Sequence, residues 1–467
     1  MSQIIINPVT RISGMMEIEV TVENNLILDA KTDGLMFRGF ELMLKGRPPL
    51  DAVYFTQRIC GICSAAHATA SSMGLESALG VTVSEQGRYL RDITHICDFL
   101  QNHIRHFYQL TVPDYVKLPD MPLFEATGRD FRMPPPVNDR IARHYFDSLA
   151  ISRLGHTMMA VLGGKAPHCH GIYVGGVTKP ASTQDLLALR SMARDVRAFV
   201  EEAMLPDAYA VAQYYGEYFH MGGGFGNMLS YGCFNNYPGL GTLYVDPLVW
   251  IGGAVHPLDP AGINENTATA FYREPPATYT PFETVVEADP GKPDAYSFIK
   301  APRYLGFPCE VGPLARMWLT GEYRNGISAM DRTIARALET QKLLNIFDTL
   351  LERVIPDTNV QAEYTVPREA MDAGLVDTSR GALGHWIRIE DGVIALYQII
   401  TPSAWNLSSQ TQDTMGTAEQ ALLGAHVADL ENPVEIGRII RSFDPCVSCA
   451  THVHTPGGQG RVWKVVP

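Results

Sequence analysis

Residues 16 to 30 alternate in part between apolar and polar positions. Ile18, Val20 and Val22 share one side of an extended chain, and Asn24-Asn25 break the run before Leu26-Ile27-Leu28. That pattern predicts a β-hairpin on a half-buried surface. A second hairpin is predicted over Trp386 to Ile400, with Asp391-Gly392 as its turn. Between them the apolar positions recur at helical spacing. Helices are expected at roughly 85 to 110, 136 to 160, 181 to 215 and 325 to 355. The last of these carries Ile334, Leu338, Ile346 and Leu350 among many charges. The stretch from Gly222 to Asp259 is rich in Gly, Tyr and Pro, and residues 270 to 300 are poor in helix signals. Both are expected as ordered loop or short strands. A final helix is predicted with Asn432 as its cap, Pro433 in its first turn and Glu435 at its third position. Ile436, Ile439 and Ile440 give it an apolar face, and it ends near Arg441. The expected fold class is α+β, predominantly helical, with small peripheral sheets.

Composition narrows the picture. Of 467 residues, 46% are apolar and 19% charged, a mix that supports a sizeable core. No repeat or low-complexity linker divides the chain, so residues 1–467 are read as one unit without separable lobes. The 37 Lys and Arg face 50 Asp and Glu, a formal charge of −13. That argues against nucleic acid as a partner. No apolar run of about 18 residues suggests a membrane span. The N-terminal MSQIIINPVTR lacks a basic region followed by an apolar one. By that test the protein is cytoplasmic, although a folded chain can also leave the cytoplasm with a partner that carries the signal. Eight cysteines are too few for a disulfide scaffold. Cys97, Cys169, Cys233 and Cys309 stand alone and read as small buried apolar residues.

The other four carry the chemistry. One pair reads Arg58-Ile-Cys60-Gly-Ile-Cys63, and the other Asp444-Pro-Cys446-Val-Ser-Cys449-Ala-Thr-His452. A CxxC pair turns both sulfurs toward one ion, and two pairs complete a four-thiolate set. Nearly the whole chain separates them, so folding has to bring its two ends together. Spacing alone leaves three readings open: a structural zinc site, a redox dithiol at one pair, or an iron–sulfur cluster.

The flanking residues are more specific. The chain resembles the large subunit of a nickel–iron hydrogenase. The RxCGxC motif is followed by His67, and the terminal DPCxxCxxH motif is complete. Matching blocks lie between them: Phe37-Arg-Gly-Phe-Glu41, His106-Phe-Tyr-Gln109, Gly163-Gly-Lys-Ala-Pro-His168, Lys300-Ala-Pro-Arg-Tyr304, Glu310-Val-Gly-Pro313 and Arg380-Gly381, then Pro402 and Trp405-Asn406.

This resemblance implies a fold with a central helical core and a site residue by residue. Cys60, Cys63, Cys446 and Cys449 hold nickel, and Cys63 and Cys449 also bridge to iron. The iron carries one carbon monoxide and two cyanides. Arg380 and Ser403 donate to the cyanides, Leu383 packs against a diatomic ligand, and Pro402 belongs to the same pocket. Asp444 pairs with Arg380, and His67 donates to a bridging thiolate. Arg58 and Arg380 offset part of the thiolate charge. Cys446 is favoured over Arg380 as the base, because a neutral guanidinium is costly. A magnesium ion is implied at Glu41, the backbone carbonyl of Ile399 and His452. The reaction implied is reversible heterolytic cleavage of dihydrogen, in the uptake direction. Electrons would go to a small subunit with iron–sulfur clusters and on to a membrane cytochrome or another acceptor.

The pattern departs in places. Ser13 stands where much of the family has a glutamate that accepts the proton beyond the nickel-bound cysteine. A serine relays protons but does not titrate, so Ser13 with water, or a nearby acid such as Glu17 or Glu19, is expected to replace it. Asn102 stands where some members have aspartate, and Ser379 where many have proline. Residues 453–467 extend past His452, and the resemblance implies that a maturation endopeptidase removes them. The implied location is the periplasm or the outer face of the cytoplasmic membrane, by co-export with the small subunit. Alternatives are a dihydrogen-sensing regulatory subunit of the same fold and, further off, a structural subunit with a four-thiolate zinc site.

Overall fold

A computed structural model describes residues 2–119, 130–273, 275, 277–284 and 286–447. The N-terminal hairpin is part of a three-stranded antiparallel sheet, β1 (Ser2–Ile6), β2 (Met16–Glu23) and β3 (Leu26–Gly34). Met16, Ile18, Val20 and Val22 alternate into the core, as the period-2 pattern requires. Asn24 and Asn25 take left-handed conformations, φ +51° and +63°, and make the turn.

Five helices build the centre of the chain: α1 (Ser64–Leu79), α2 (Glu85–Arg105), α3 (Pro135–Gly163), α4 (Thr183–Phe199) and α5 (Leu205–Tyr214). A further long helix, α6 (Ala329–Leu351), packs against α2 and α5. The predicted helix over 85 to 110 continues past α2 as a π-helical turn, His106–Thr111. A second such turn, Val200–Met204, joins α4 to α5. Helix α1 is not visible in the sequence pattern. Its residues are mostly Ala and Ser and are buried almost all round, so no polar face marks its period.

The second predicted hairpin also gains a strand. β4 (Ala370–Thr378), β5 (Gly381–Glu390) and β6 (Val393–Ile400) form an antiparallel sheet. Asp391 and Gly392 make its turn with positive φ. Helix α1 lies on this sheet. At Gly374 a β-carbon would sit 2.0 Å from the Ala70 carbonyl oxygen, so the close approach of helix and strand requires glycine there.

Two short helices finish the frame, α7 (Pro402–Leu407) and α8 (Val434–Ser442). Helix α8 starts one residue later than expected for an Asn432 cap. Pro433 stands at the cap position with non-helical ψ of 66°, and a backbone turn from Val434 N–H to the Asn432 carbonyl, 2.8 Å, leads in. The segment after Gly222 forms short strands, Met228–Ser230, Leu248–Ile251 and Ala254–Pro257. The architecture is mixed α+β, dominated by helices, as anticipated. Among the described residues no helix is long and apolar enough to cross a membrane.

Candidate metal centre

The two ends of the chain meet in the interior. Cys60 follows a 3₁₀ turn in extended conformation, and Cys63 immediately precedes α1. Helix α2 holds this loop: Gln101 Nε2 donates to the Ile62 carbonyl at 2.8 Å, and Asp98 accepts from Ala66 N–H at 3.3 Å in the first turn of α1. The Ile62 N–H points at Cys60 Sγ, 3.3 Å away.

The second loop leaves the end of α8. Asp444, with φ +55°, turns the chain, and Asp tolerates that conformation better than most residues. The loop then runs beside the N-terminal segment: Ser13 N–H donates to the Pro445 carbonyl at 3.1 Å, and Val447 N–H to the Ser13 carbonyl at 2.6 Å. Ser403 Oγ on α7 accepts from Cys446 N–H at 2.9 Å. Thr401 caps α7 by accepting from Ala404 N–H.

Three sulfurs converge as a result. Those of Cys60, Cys63 and Cys446 lie within 4.8 Å of one another, and Cys60 and Cys446 are 3.4 Å apart. All three residues are buried. Cys449 and His452 lie outside the described residues, as does the tail at 453–467.

A buried charge triangle stands beside the sulfurs. Arg380 Nε pairs with Asp444 at 3.0 Å, Arg380 Nη2 donates to Asn102 Oδ1 at 2.7 Å, and Asn102 Nδ2 donates to Asp444 Oδ2 at 2.7 Å. Burial opposes a charged Arg380, but Asp444 and the sulfurs of Cys446, Cys63 and Cys60 outweigh it and hold its pKa well above the ordinary value. Burial likewise raises Asp444, and Arg380, His106 and Arg336 more than reverse that. Arg380 Nη1 is buried and has no hydrogen-bond partner among the described residues. A buried cationic donor without an acceptor is a place for an anionic or lone-pair ligand. Arg58, by contrast, is exposed and does not share this role.

Leu383 on β5, Pro402 and Ser403 are buried in the same region. His67 is buried one turn into α1, and burial lowers its pKa to about 4, against the opposing charge of Cys446. Glu41 and Ile399 line a separate small cavity of about 40 Å³ with Glu265, Lys300 and Gln398. Burial raises the Glu41 pKa, with Lys300 and Arg38 acting against it. Of the acids near Ser13, Glu17 is half-buried and raised by burial, and it accepts from Asn7. Asp98 and Gln101 were not singled out from sequence.

The family described as nickel-dependent hydrogenase matches this chain over residues 38–127, 124–326 and 320–452. The chain belongs to the nickel-dependent hydrogenases. The periplasmic [NiFeSe] hydrogenase large subunit of Desulfomicrobium baculatum is 36% identical over 99% of this chain and 97% of its own. The hydrogenase-2 large chain of Escherichia coli is 30% identical over 98% and 99%. The reduced Ni-Fe-Se hydrogenase of D. vulgaris Hildenborough superposes with a TM-score of 0.93 at 36% identity, covering 97% of this chain and all of that one. As a hydrogenase large subunit, the chain is the catalytic partner in reversible cleavage of dihydrogen at a cysteine-held nickel–iron site. Its electrons pass to an iron–sulfur subunit. The sulfur cluster and the unpaired Arg380 nitrogen fit that group.

Proposed function

We propose that Cys60, Cys63, Cys446 and Cys449 hold a nickel–iron centre whose protein ligands are all cysteine sulfur. The sequence has cysteine, not selenocysteine, at all four motif positions. By the resemblance, Cys60 and Cys446 would hold nickel alone, and Cys63 and Cys449 would hold both metals. The observation that carries this reading is the convergence of three buried sulfurs whose charge acts on Arg380, where Nη1 has no hydrogen-bond partner among the described residues. When bound, the centre supplies soft Lewis-acid sites for dihydrogen. Iron is assigned one carbon monoxide and two cyanides. Arg380 Nη1 is the donor for one cyanide. The Ser403 hydroxyl, whose oxygen already accepts from Cys446 N–H, keeps its proton to donate to the other. Leu383 and Pro402 supply apolar walls.

Cys446 takes the proton. The charge triangle supports this choice, because Arg380 is held cationic by Asp444 and the sulfurs and is a poor base. From Cys446 the proton leaves past Ser13, whose backbone is hydrogen-bonded on both sides of Cys446. Changing Ser13 to Ala is expected to slow proton–deuterium exchange. Unchanged exchange excludes Ser13 as the relay.

Magnesium is assigned to Glu41, the Ile399 carbonyl and His452, with waters completing its shell. A maturation endopeptidase cuts after His452, and intact residues 453–467 in active, nickel-loaded protein would refute that. The physiological direction is uptake. The enzyme works in the periplasm or on the outer face of the cytoplasmic membrane, exported with its small subunit, and a cytochrome or similar acceptor receives the electrons. The periplasmic name of the D. baculatum relative supports that location. An infrared spectrum of the purified heterodimer tests the centre: one carbon monoxide band and two cyanide bands are expected. An empty window in fully metal-loaded protein overturns the assignment.

A further inference from the structure

The N-terminal segment and the Cys446 loop are joined a second time, at their bases, by three charged side chains. Ser13 and Cys446 face each other as a parallel bridge. Arg11 lies two residues before Ser13, and Arg441, in the last turn of α8, five residues before Cys446. Between the two arginines stands Asp114, from the short 3₁₀ turn Val112–Asp114 that follows the π-helical turn after α2. Arg441 Nε donates to Asp114 Oδ2 at 2.6 Å and Arg441 Nη2 to Asp114 Oδ1 at 2.7 Å, a two-point fork. Arg11 Nη2 donates to the same Oδ1.

Each arginine also holds main chain. Arg11 Nη1 donates to the Leu110 carbonyl at 2.7 Å, and Arg441 Nη1 to the Thr10 carbonyl at 3.1 Å. The Asp114 carbonyl accepts from Arg438, one turn back on α8. The Arg441 backbone leads into the second cysteine loop: its carbonyl accepts from Asp444 N–H at 2.9 Å and from His106 Nε2 at 2.7 Å. Asp114 and Arg441 are both buried. Burial opposes the charge on Asp114, and Arg11 and Arg441 outweigh it and hold its pKa well below the ordinary value.

Two features call for such a clamp. Arg11 has φ +57°, a conformation that a residue with a side chain keeps only where its surroundings fix it. The Ser13–Cys446 bridge is isolated, outside any sheet, so its two backbone hydrogen bonds need support from neighbouring structure.

We propose that Arg11, Asp114 and Arg441 are positioning residues that clamp the base of the Ser13–Cys446 bridge, and so fix Cys446 and Ser13 relative to each other for proton transfer. The consequence for proton transfer rests on Cys446 and Ser13 as the proton route proposed above. The clamp itself rests on the ion pairs and backbone contacts alone.

Arg11→Gln opens one arm. Asp114 keeps both bonds to Arg441, so no buried carboxylate is left unpaired and the heterodimer should still fold. Amide hydrogen exchange of the nickel-loaded heterodimer, read by mass spectrometry, reports the bridge. The Ser13 and Val447 amides are expected to exchange about 10-fold faster than in the wild type, with β2, β3 and α8 unchanged. Unchanged protection at these two amides overturns the clamp. So does an even loss across β2, β3 and α8, which is what a merely structural ion pair would give. Arg11→Lys keeps a charge beside Asp114 but not the fork that also reaches Leu110, and is expected to fall between the two. Proton–deuterium exchange per bound nickel is the second readout, and it should slow in the same order as protection is lost. Local loss of protection with undiminished proton–deuterium exchange supports the clamp and counts instead against Cys446 and Ser13 as the proton route.

Discussion

The two cysteine loops reach the same point from opposite ends of helices. Cys63 stands immediately before α1, where the helix dipole and unpaired N–H groups favour negative charge. Cys446 lies just beyond the C-terminal end of α8, where the dipole disfavours it. The surroundings differ accordingly. The first loop is held by polar side chains of α2, Gln101 and Asp98, and among the described residues Asp98 forms no direct ion pair. The second is flanked by the buried Arg380–Asp444 pair, with Asn102 bridging the two. Two identical motifs thus need different support, and the difference follows from which helix end each adjoins. The acids show it most clearly. Burial dominates at Asp98 and pushes its pKa up to about 7, whereas Arg380, His106 and Arg336 pull Asp444 below the ordinary range against the same burial.

The largest effect is expected from the sulfurs themselves. Cys60→Ser and Cys446→Ser should each reduce nickel in the purified heterodimer to background and abolish dihydrogen oxidation. Metal analysis showing full nickel in either variant would remove that cysteine from the ligand set. Next comes Arg380→Lys. Lysine keeps the charge but loses the planar fork that reaches Asp444 and Asn102 together and leaves Nη1 free. Nickel content should hold while turnover falls by about 100-fold, or about 3 kcal/mol in barrier. Equal losses of nickel and turnover would make Arg380 a support for assembly only. The first loop has no such residue: exposed Arg58→Lys is expected to change turnover less than about twofold, within the usual range for surface substitutions.

Much of this architecture was legible in advance. Both hairpins announce themselves by alternation and by their Asn-Asn and Asp-Gly turns, and the long helices by their period. The paired motifs and their flanking blocks marked Cys60, Cys63, Cys446, Arg380, Asp444 and Ser403, and the structure gathers all of these in one region. The illegible parts share a physical cause. Strands β1 and β4 add to sheets through backbone hydrogen bonds that short or glycine-containing stretches do not advertise. Helix α1 lacks a polar stripe because it is buried on nearly every side. Gln101 and Asp98 act through contacts between residues far apart in sequence, and no local spacing encodes those. Arg58 misled for the complementary reason: adjacency to Cys60 in sequence does not aim a long side chain inward.

Smaller effects separate the loops' anchors. Gln101→Leu removes the donor to the Ile62 carbonyl, and Ser403→Ala removes the acceptor of Cys446 N–H. Each leaves a buried backbone group unsatisfied and should cost about 1–2 kcal/mol in unfolding of the heterodimer. They diverge in the infrared. Ser403→Ala is expected to shift a cyanide band, and Gln101→Leu to leave both in place. A cyanide shift of equal size in Gln101→Leu would mean that the two loops are equally coupled to the iron ligands, which would erase the contrast drawn between them.

The finest test lies in the acid of the first loop. In the unfolded chain Asp98 titrates at an ordinary 3.8, and in the folded chain at about 7. Between these values the folded protein keeps a proton that the unfolded chain releases. The stability contributed by protonated Asp98 is therefore fully present below pH 3.8 and is lost as pH rises through about 7. Asp98→Asn retains an acceptor for Ala66 N–H but cannot ionise. Across pH 4 to 8 the wild-type heterodimer should lose stability relative to this variant, by about 1–3 kcal/mol. Thermal midpoints measured across that range give the difference. Parallel curves would show that ionised Asp98 is as well accommodated as Asp444, although it lacks the direct ion pair that Asp444 makes with Arg380.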